Sequence, residues 1–403
     1  MLRPRGRRRD ELVWVWRTAR RASMVAVGSS GDAVNANAFS PCGKYLVCGT
    51  SQGRLHFWRF EEEDGGALCA PCRLHTLLAH GCAIYALTFT ETKSGLLLLS
   101  GADEEIRGWR WSELLAHASG PAPAPVLRFE NPRIGMRRGA EGQLSETSAL
   151  AVDAESGVLY SAAGDGKAYA WDLAAQACVT TFDAGLGEPL HCLALAQRRK
   201  QLATGGEDGA LRLWDLRSSK CEHTLRPDAP PLVRPPFKPA GGTGGTGGLA
   251  RQPTAEVATL GAGGAKLGAG KVVGGWCGCV GLDEGENWMA AGWGDGFLVT
   301  IEMNMLGSVA CLPTAAPPTA VCFEPGSDFS LVSVGAESAL YSWRLTGELE
   351  TRAACSSPSA LGLAVQRLPG GHQKVIAVGG STGSVDVFTD TSHRAFTLRA
   401  QDE

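Results

Sequence analysis

The sequence has no apolar run approaching the roughly 18 residues that cross a membrane as a helix, and no uninterrupted apolar core near its start of the kind a secretory leader carries. Neither sign of charge dominates. Thirty-eight Lys and Arg stand against 41 Asp and Glu, a net charge of −3. Nucleic-acid binding by the body of a chain usually shows as a strong basic excess, so this balance argues against it. Catalytic signatures are also missing. No nucleophile elbow of the Gly-x-Ser-x-Gly kind, P-loop or His-Glu-x-x-His helix is read, and the eight His are dispersed. The chain is therefore read as non-catalytic, with no cofactor and no metal.

The 13 Cys sit mostly in apolar stretches, as small buried hydrophobes do, which suits a reducing compartment. Two close pairs have metal-ligand spacing, Cys69 with Cys72 and Cys277 with Cys279. They lie far apart in sequence and lack matching His, so a four-ligand zinc site is not expected. The start of the chain carries Arg3, Arg5, Arg7, Arg8 and Arg9, a basic tail open to four readings: solvated, nuclear-localising, RNA-contacting or an organelle transit peptide, the last disfavoured by Asp10 and Glu11.

What is present is a repeat. The ten-residue string Gly205-Gly206-Glu207-Asp208-Gly209-Ala210-Leu211-Arg212-Leu213-Trp214 has six further copies, ending at Trp58, Trp109, Trp171, Ile301, Trp343 and Phe388. The ends are spaced by 51, 62, 43, 87, 42 and 45 residues. The shortest of these match the period of about 40–45 residues of WD repeats. The fourth position is Gln52, Asp103, Asp165, Asp208, Asp295, Glu337 or Thr382, and Gly follows it in five copies. Asp-Gly between alternating apolar runs signals a hairpin, because Gly accepts positive φ and Asp tolerates it. Each unit reads as strand, turn, strand, Asp-Gly turn, strand, with Trp58, Trp109, Trp171, Trp214 and Trp343 as repeat anchors. Asp103, Asp165, Asp208 and Asp295 are then turn carboxylates, not paired catalytic acids.

Seven such units predict an all-β fold, a seven-bladed β-propeller with four-stranded antiparallel blades, since a lone unit cannot bury both its faces and a ring can. The expected organisation is a basic tail over 1–33, a propeller over 34–398 and a short tail over 399–403. A flexible Gly- and Pro-rich insert over 226–271 separates blades 4 and 5, where composition cannot offset ordering entropy. The segment from Trp111 to Thr147 reads as a longer loop. The final apolar stretch, Arg394–Leu398, is expected to be the outer strand of blade 7, leaving every blade continuous in sequence. His80 is expected to bond within blade 2.

Phe39-Ser40-Pro41-Cys42-Gly43-Lys44-Tyr45-Leu46 at the first blade, the Gly205–Arg217 stretch, and Val385-Asp386-Val387-Phe388-Thr389 before Arg394–Leu398 occur in an order that resembles the THO complex subunit 6 family. The likeness covers about 34–398 apart from the insert. It implies a nuclear scaffold in the transcription–export assembly that acts in mRNA processing and export. The implied partners are the other THO subunits, with RNA met only indirectly and no membrane. The Arg-rich start and the Gly-rich insert depart from the family pattern. A second reading rests on Trp214, Asp215 and Arg217. Trp-Asp-x-Arg is similar to the motif by which WD proteins dock onto the adaptor of cullin-4 ubiquitin ligases as substrate receptors, with Arg217 offering a charged fork.

Overall fold

Glycine at the fifth position of the string does what the hairpin requires. Gly53, Gly166, Gly209, Gly296 and Gly383 all have φ between 70° and 87°, a region that side-chain-bearing residues avoid. Around these turns the computed structural model, which describes residues 32–61, 68–117, 122–134, 143–226, 275–327, 329–368 and 374–400, forms seven four-stranded antiparallel sheets.

Blade 1 comprises β1 to β4 (Val34–Phe39, Tyr45–Thr50, Arg54–Arg59, Cys72–Leu78). Blade 2 comprises β5 to β7 (Ile84–Thr92, Gly95–Ala102, Glu105–Arg110) and, after helix α1 (Trp111–Ala116), β8 (Leu127–Glu130). A two-stranded hairpin follows, β9 (Arg133–Ile134) with β10 (Gln143–Leu144). Blade 3 is β11 to β14 (Thr147–Asp153, Val158–Ala163, Lys167–Asp172, Ala177–Asp183), and blade 4 is β15 to β18 (Leu190–Ala196, Gln201–Gly206, Leu211–Asp215, Cys221–Leu225). Blade 5 is β19 to β22 (Cys277–Leu282, Trp288–Trp293, Phe297–Glu302, Gly307–Pro313), and blade 6 is β23 to β26 (Pro318–Phe323, Ser330–Gly335, Ala339–Arg344, Leu349–Ala354). Blade 7 is β27 to β30 (Ala360–Arg367, Lys374–Gly380, Ser384–Phe388, Arg394–Arg399).

Hydrophobicity follows from radial position. Second strands such as β16 and β24 are buried along nearly their whole length, because both faces meet a neighbouring blade. Outer strands such as β18 are exposed. The core is seven clusters, one at each blade interface. The cluster that closes the ring joins Val34, Phe39 and Leu46 of blade 1 to Val375, Val385 and Val387 of blade 7. Asn37 Nδ2 adds a bond to the Gly362 carbonyl across that seam, at 3.2 Å. Among the described residues no strand is exchanged between blades 1 and 7, and the final apolar stretch is the outer strand of blade 7, as expected.

Every inner strand also carries a bulge at the same register, at Asn35, Tyr85, Ser148, His191, Gly278, Thr319 and Leu361. An extra residue at this place bends the strand and re-aims its side chain. Three of these residues use that aim to tie their blade to the next. Asn35 donates to Ile84 O at 3.2 Å, Ser148 to Leu190 O at 2.6 Å and Thr319 to Ala360 O at 2.8 Å.

Three expectations change. The segment from Trp111 to Thr147 is more than a loop: it supplies α1, the outer strand of blade 2 and a hairpin. The helix is only six residues long and forms because Trp111 and Leu114 are buried, with the Trp111 ring against Tyr45, Phe57 and Phe89. Asp32, ahead of the expected start of the propeller at 34, is also packed. The Asp32 carboxylate accepts from Ser51 Oγ and Gln52 N. Finally, the packed chain continues past Leu398 to Ala400, which is buried and donates to Gly383 O at 2.8 Å. The remainder of the expected tails and, beyond Arg226, the expected insert lie outside the described residues.

Where the chain passes from blade 4 to blade 5, a polar clamp joins the two. Glu286 has φ 57°. Its carboxylate accepts Arg198 N at 3.0 Å and Arg199 N at 3.1 Å. Arg199 answers with bonds to Glu286 O at 2.7 Å and Asn304 Oδ1 at 2.7 Å. Glu286→Ala would remove the acceptor of two part-buried N–H groups and leave the Arg199 bond to the backbone carbonyl in place, so a loss of about 2 kcal/mol in a urea melt is expected. An unchanged midpoint would show the clamp to be incidental.

Candidate functional site

The repeat anchors face inward. Trp171 Nε1 donates to Ser161 Oγ at 2.9 Å, Trp214 Nε1 to Thr204 Oγ1 at 2.8 Å and Trp343 Nε1 to Ser333 Oγ at 2.9 Å. Trp58 and Trp109 are buried as well. In blade 2 a histidine joins the set: His80 Nε2 lies 2.6 Å from Ser100 Oγ, and its ring stands edge-on to Trp109. Burial, then the Arg107 charge, lowers His80 to about 4, so it is neutral at physiological pH. Blade 4 lacks a histidine at this place. Its His191 instead sits at the inner-strand bulge, 2.8 Å from Glu207 Oε2.

The acids satisfy turns. Asp165 accepts Lys167 N and the Tyr169 hydroxyl. Asp208 accepts Ala210 N, Arg212 and Arg226. Asp295 accepts Gly275 N at 2.9 Å. Asp103 occupies the same turn of blade 2. These carboxylates lie in separate blades, which leaves no two of them poised for acid–base work. Two strings do match Gly-x-Ser-x-Gly literally, Gly49–Gly53 and Gly379–Gly383. Both lie in strand-to-strand turns of blades 1 and 7, where no helix N-terminus follows to form an oxyanion site.

The two Cys pairs stay apart, one in blade 1 and one in blade 5. Cys277 and Cys279 are buried. The neighbouring Cys192 thiol and burial push Cys277 well up, and burial does the same for Cys279. Among the described residues, no three His, Cys, Asp or Glu side chains are grouped to hold a metal ion.

Of the Trp214, Asp215 and Arg217 set, Trp214 belongs to the core. Asp215 is tied into its own turn: it accepts Arg217 N at 3.2 Å, Ser218 N at 3.1 Å and Ser218 Oγ at 2.7 Å. The Ser218 hydroxyl foremost, with these N–H groups, holds its carboxyl below the usual range. Arg217 is exposed in the loop between β17 and β18. Sequence reasoning missed the bulge ring and the blade 4–5 clamp, whose partners are distant along the chain. The bulge residues line a central channel with a cavity of about 210 Å³. Rigid rims and two faces remain as the surface on which such a ring can act.

Residues 23–59 and 176–215 match the WD domain, G-beta repeat family. THO complex subunit 6 of Homo sapiens is 27% identical over 362 residues, which cover 89% of this chain and 90% of the human protein. This chain is similar to THO complex subunit 6 over nearly its whole length. The rat THO complex subunit 6 homolog is 28% identical with the same coverage. The Arabidopsis thaliana subunit 6 is 27% identical over 80% of this chain and 76% of its own. A match of that length runs through the whole ring, so the likeness to THO subunit 6 does not reduce to a few generic repeats.

Proposed function

We propose that the protein is a non-catalytic interaction scaffold in a nuclear THO-type complex and acts in mRNA processing and export. The observation that carries this is the extent of the similarity. It covers about nine-tenths of both this chain and the human subunit, so the blade order and the rims that a scaffold offers are kept together. The anchors and turn acids are consumed by the fold, which leaves the surface to carry function. A rigid propeller docks partners with little reorganisation cost. The net charge of −3 favours contact with RNA through partners. Affinity purification of the tagged protein from nuclear extract, with RNase, is expected to recover several THO subunits. A protein excluded from the nucleus, or one whose THO subunits vanish with RNase, would contradict the proposal.

One feature favours a second role, as a receptor on a cullin-4 ligase adaptor. Arg217 is exposed, and its guanidinium has no hydrogen bond among the described residues. Arg217→Ala should leave the melting temperature unchanged, and adaptor capture should fall at least tenfold, since a buried Arg fork at an interface is worth about 2 kcal/mol. Equal capture by both proteins removes this role.

A further inference from the structure

One end of blade 4 concentrates positive charge. In a four-stranded antiparallel blade, the turn from first to second strand and the turn from third to fourth lie at the same end. In blade 4 these turns are residues 197–200 and 215–220. Leu216 N donates to Lys200 O between them, and Asp215 N donates to Lys220 O within the second, both at 3.0 Å. The two turns carry Arg198, Arg199, Lys200, Arg217 and Lys220 against a single acid, Asp215. The matching turns of blade 3 (154–157 and 172–176) and blade 5 (283–287 and 302–306) carry no Lys or Arg. In a chain of net charge −3 the excess is local.

The acids around these turns are largely committed. Asp153 takes Lys200 Nζ at 3.2 Å. The Asp215 carboxylate closes its own turn. Glu286 accepts the Arg198 and Arg199 N–H groups, and Glu302 accepts Asn304 N at 2.9 Å and Met305 N at 2.7 Å. Glu222 accepts Gln201 Nε2 at 2.9 Å. Glu284 of blade 5 stays exposed nearby. Arg198, Arg217 and Lys220 are exposed too, and none of the three forms an ion pair or a side-chain hydrogen bond among the described residues. An apolar contact point adjoins them. Arg199 bonds to Asn304, and the next residue, Met305, is 78% exposed. A thioether chain adapts its shape to varied apolar partners. No aromatic side chain lies in 197–200, 215–220 or 302–306. The patch therefore lacks the platform on which single-stranded nucleic acid stacks its bases. Cations beside a methionine fit carboxylates spaced around an apolar residue.

We propose that this end of blade 4 docks an acidic segment of a partner protein, with carboxylates on Arg198, Arg217 and Lys220 and an apolar side chain on Met305. The proposal goes beyond THO membership and beyond the adaptor role. It requires neither partner, and its test leaves Arg217 in place.

The probes are the labelled peptide amides (Glu-Leu-Ser)₄ and (Gln-Leu-Ser)₄, titrated against the full chain by fluorescence anisotropy at low salt, where exposed charges are least screened. The Glu peptide should bind about tenfold more tightly than the Gln peptide, the sum expected of three exposed ion pairs. That preference should shrink to about twofold in the double variant Arg198→Gln/Lys220→Gln, which keeps one cation. The double variant should melt as wild type, since neither side chain has a partner to lose. Lys93→Gln, which removes an exposed cation at the same end of blade 2, should leave the preference intact. Met305→Ser should weaken both peptides alike. Equal affinity for the two peptides would overturn the proposal. So would a preference that survives the double variant, or one that Lys93→Gln lowers as much. An oligouridylate that binds more tightly than the Glu peptide, and is lost in the double variant, would give the patch to RNA and overturn it as well.

Discussion

Deletion of residues 391–403 is expected to cost the propeller on the order of 5 kcal/mol, or to abolish folding outright. The segment contains β30, which pairs with β29 from Ser384↔Arg399 to Phe388↔Arg394. Its removal turns β29 into an unprotected edge and withdraws Leu398, Ala400 and the packed face of Phe396 from the cluster that closes the ring. A buried leucine alone is worth about 2–5 kcal/mol. It also takes Thr397 and Arg394 from Asp386, a carboxylate that is only 2% exposed. A buried charge stripped of its partners is among the costliest of single changes. Among the described residues blade 7 is β27 to β30 alone, so no other described strand covers that edge. A 391–403 deletion that melts at the wild-type temperature would refute this view of closure.

A second large effect is expected from pH. His80 titrates near pH 6.5 when unfolded and near 4 in the blade, where burial first and the Arg107 charge next oppose its protonation. As pH falls below 6.5 the unfolded chain takes up a proton that the folded chain refuses. Stability is therefore full above pH 6.5 and falls as pH drops toward 4. The loss across that window is about 3 kcal/mol. His75 is lowered too, by burial and by His117, and adds to the same slope. Glu105 acts in a lower window. Burial raises its carboxyl, but the Arg107 and Arg128 bonds overcome this and hold it below its usual value. Its stabilisation is lost only as pH falls below about 4.5. Urea midpoints between pH 7 and 4.5 should therefore flatten markedly in His80→Gln, which keeps a polar partner for Ser100 without a titrating ring. An identical slope in the variant would assign the pH dependence elsewhere.

The ring was legible in the sequence because its signals are local. A turn glycine, an acid before it and an aromatic at the end of the next strand fall within ten residues, and each is required by the hairpin itself. Gly209, Asp208 and Trp214 show the set at its fullest. The outer strands were harder to read. Cys221–Leu225 is exposed, so no alternation marks it, and the outer strand of blade 2 is hidden after α1 in what reads as a loop. Helix α1 has no capping side chain and owes its existence to the aromatic seat of Trp111. The clamp from Glu286 to Arg199 and the ring of bulges join residues that are distant in sequence, and periodicity cannot report such pairs.

On the function proposed above, this propeller works through its surface as a structural subunit of a THO-type assembly. The most direct test is co-expression of the full chain with recombinant THO subunits, followed by native mass spectrometry of the RNase-treated complex. A stoichiometric assembly containing this chain is the expected result. A chain that runs alone as a monomer, while the remaining subunits assemble without it, would contradict the claim.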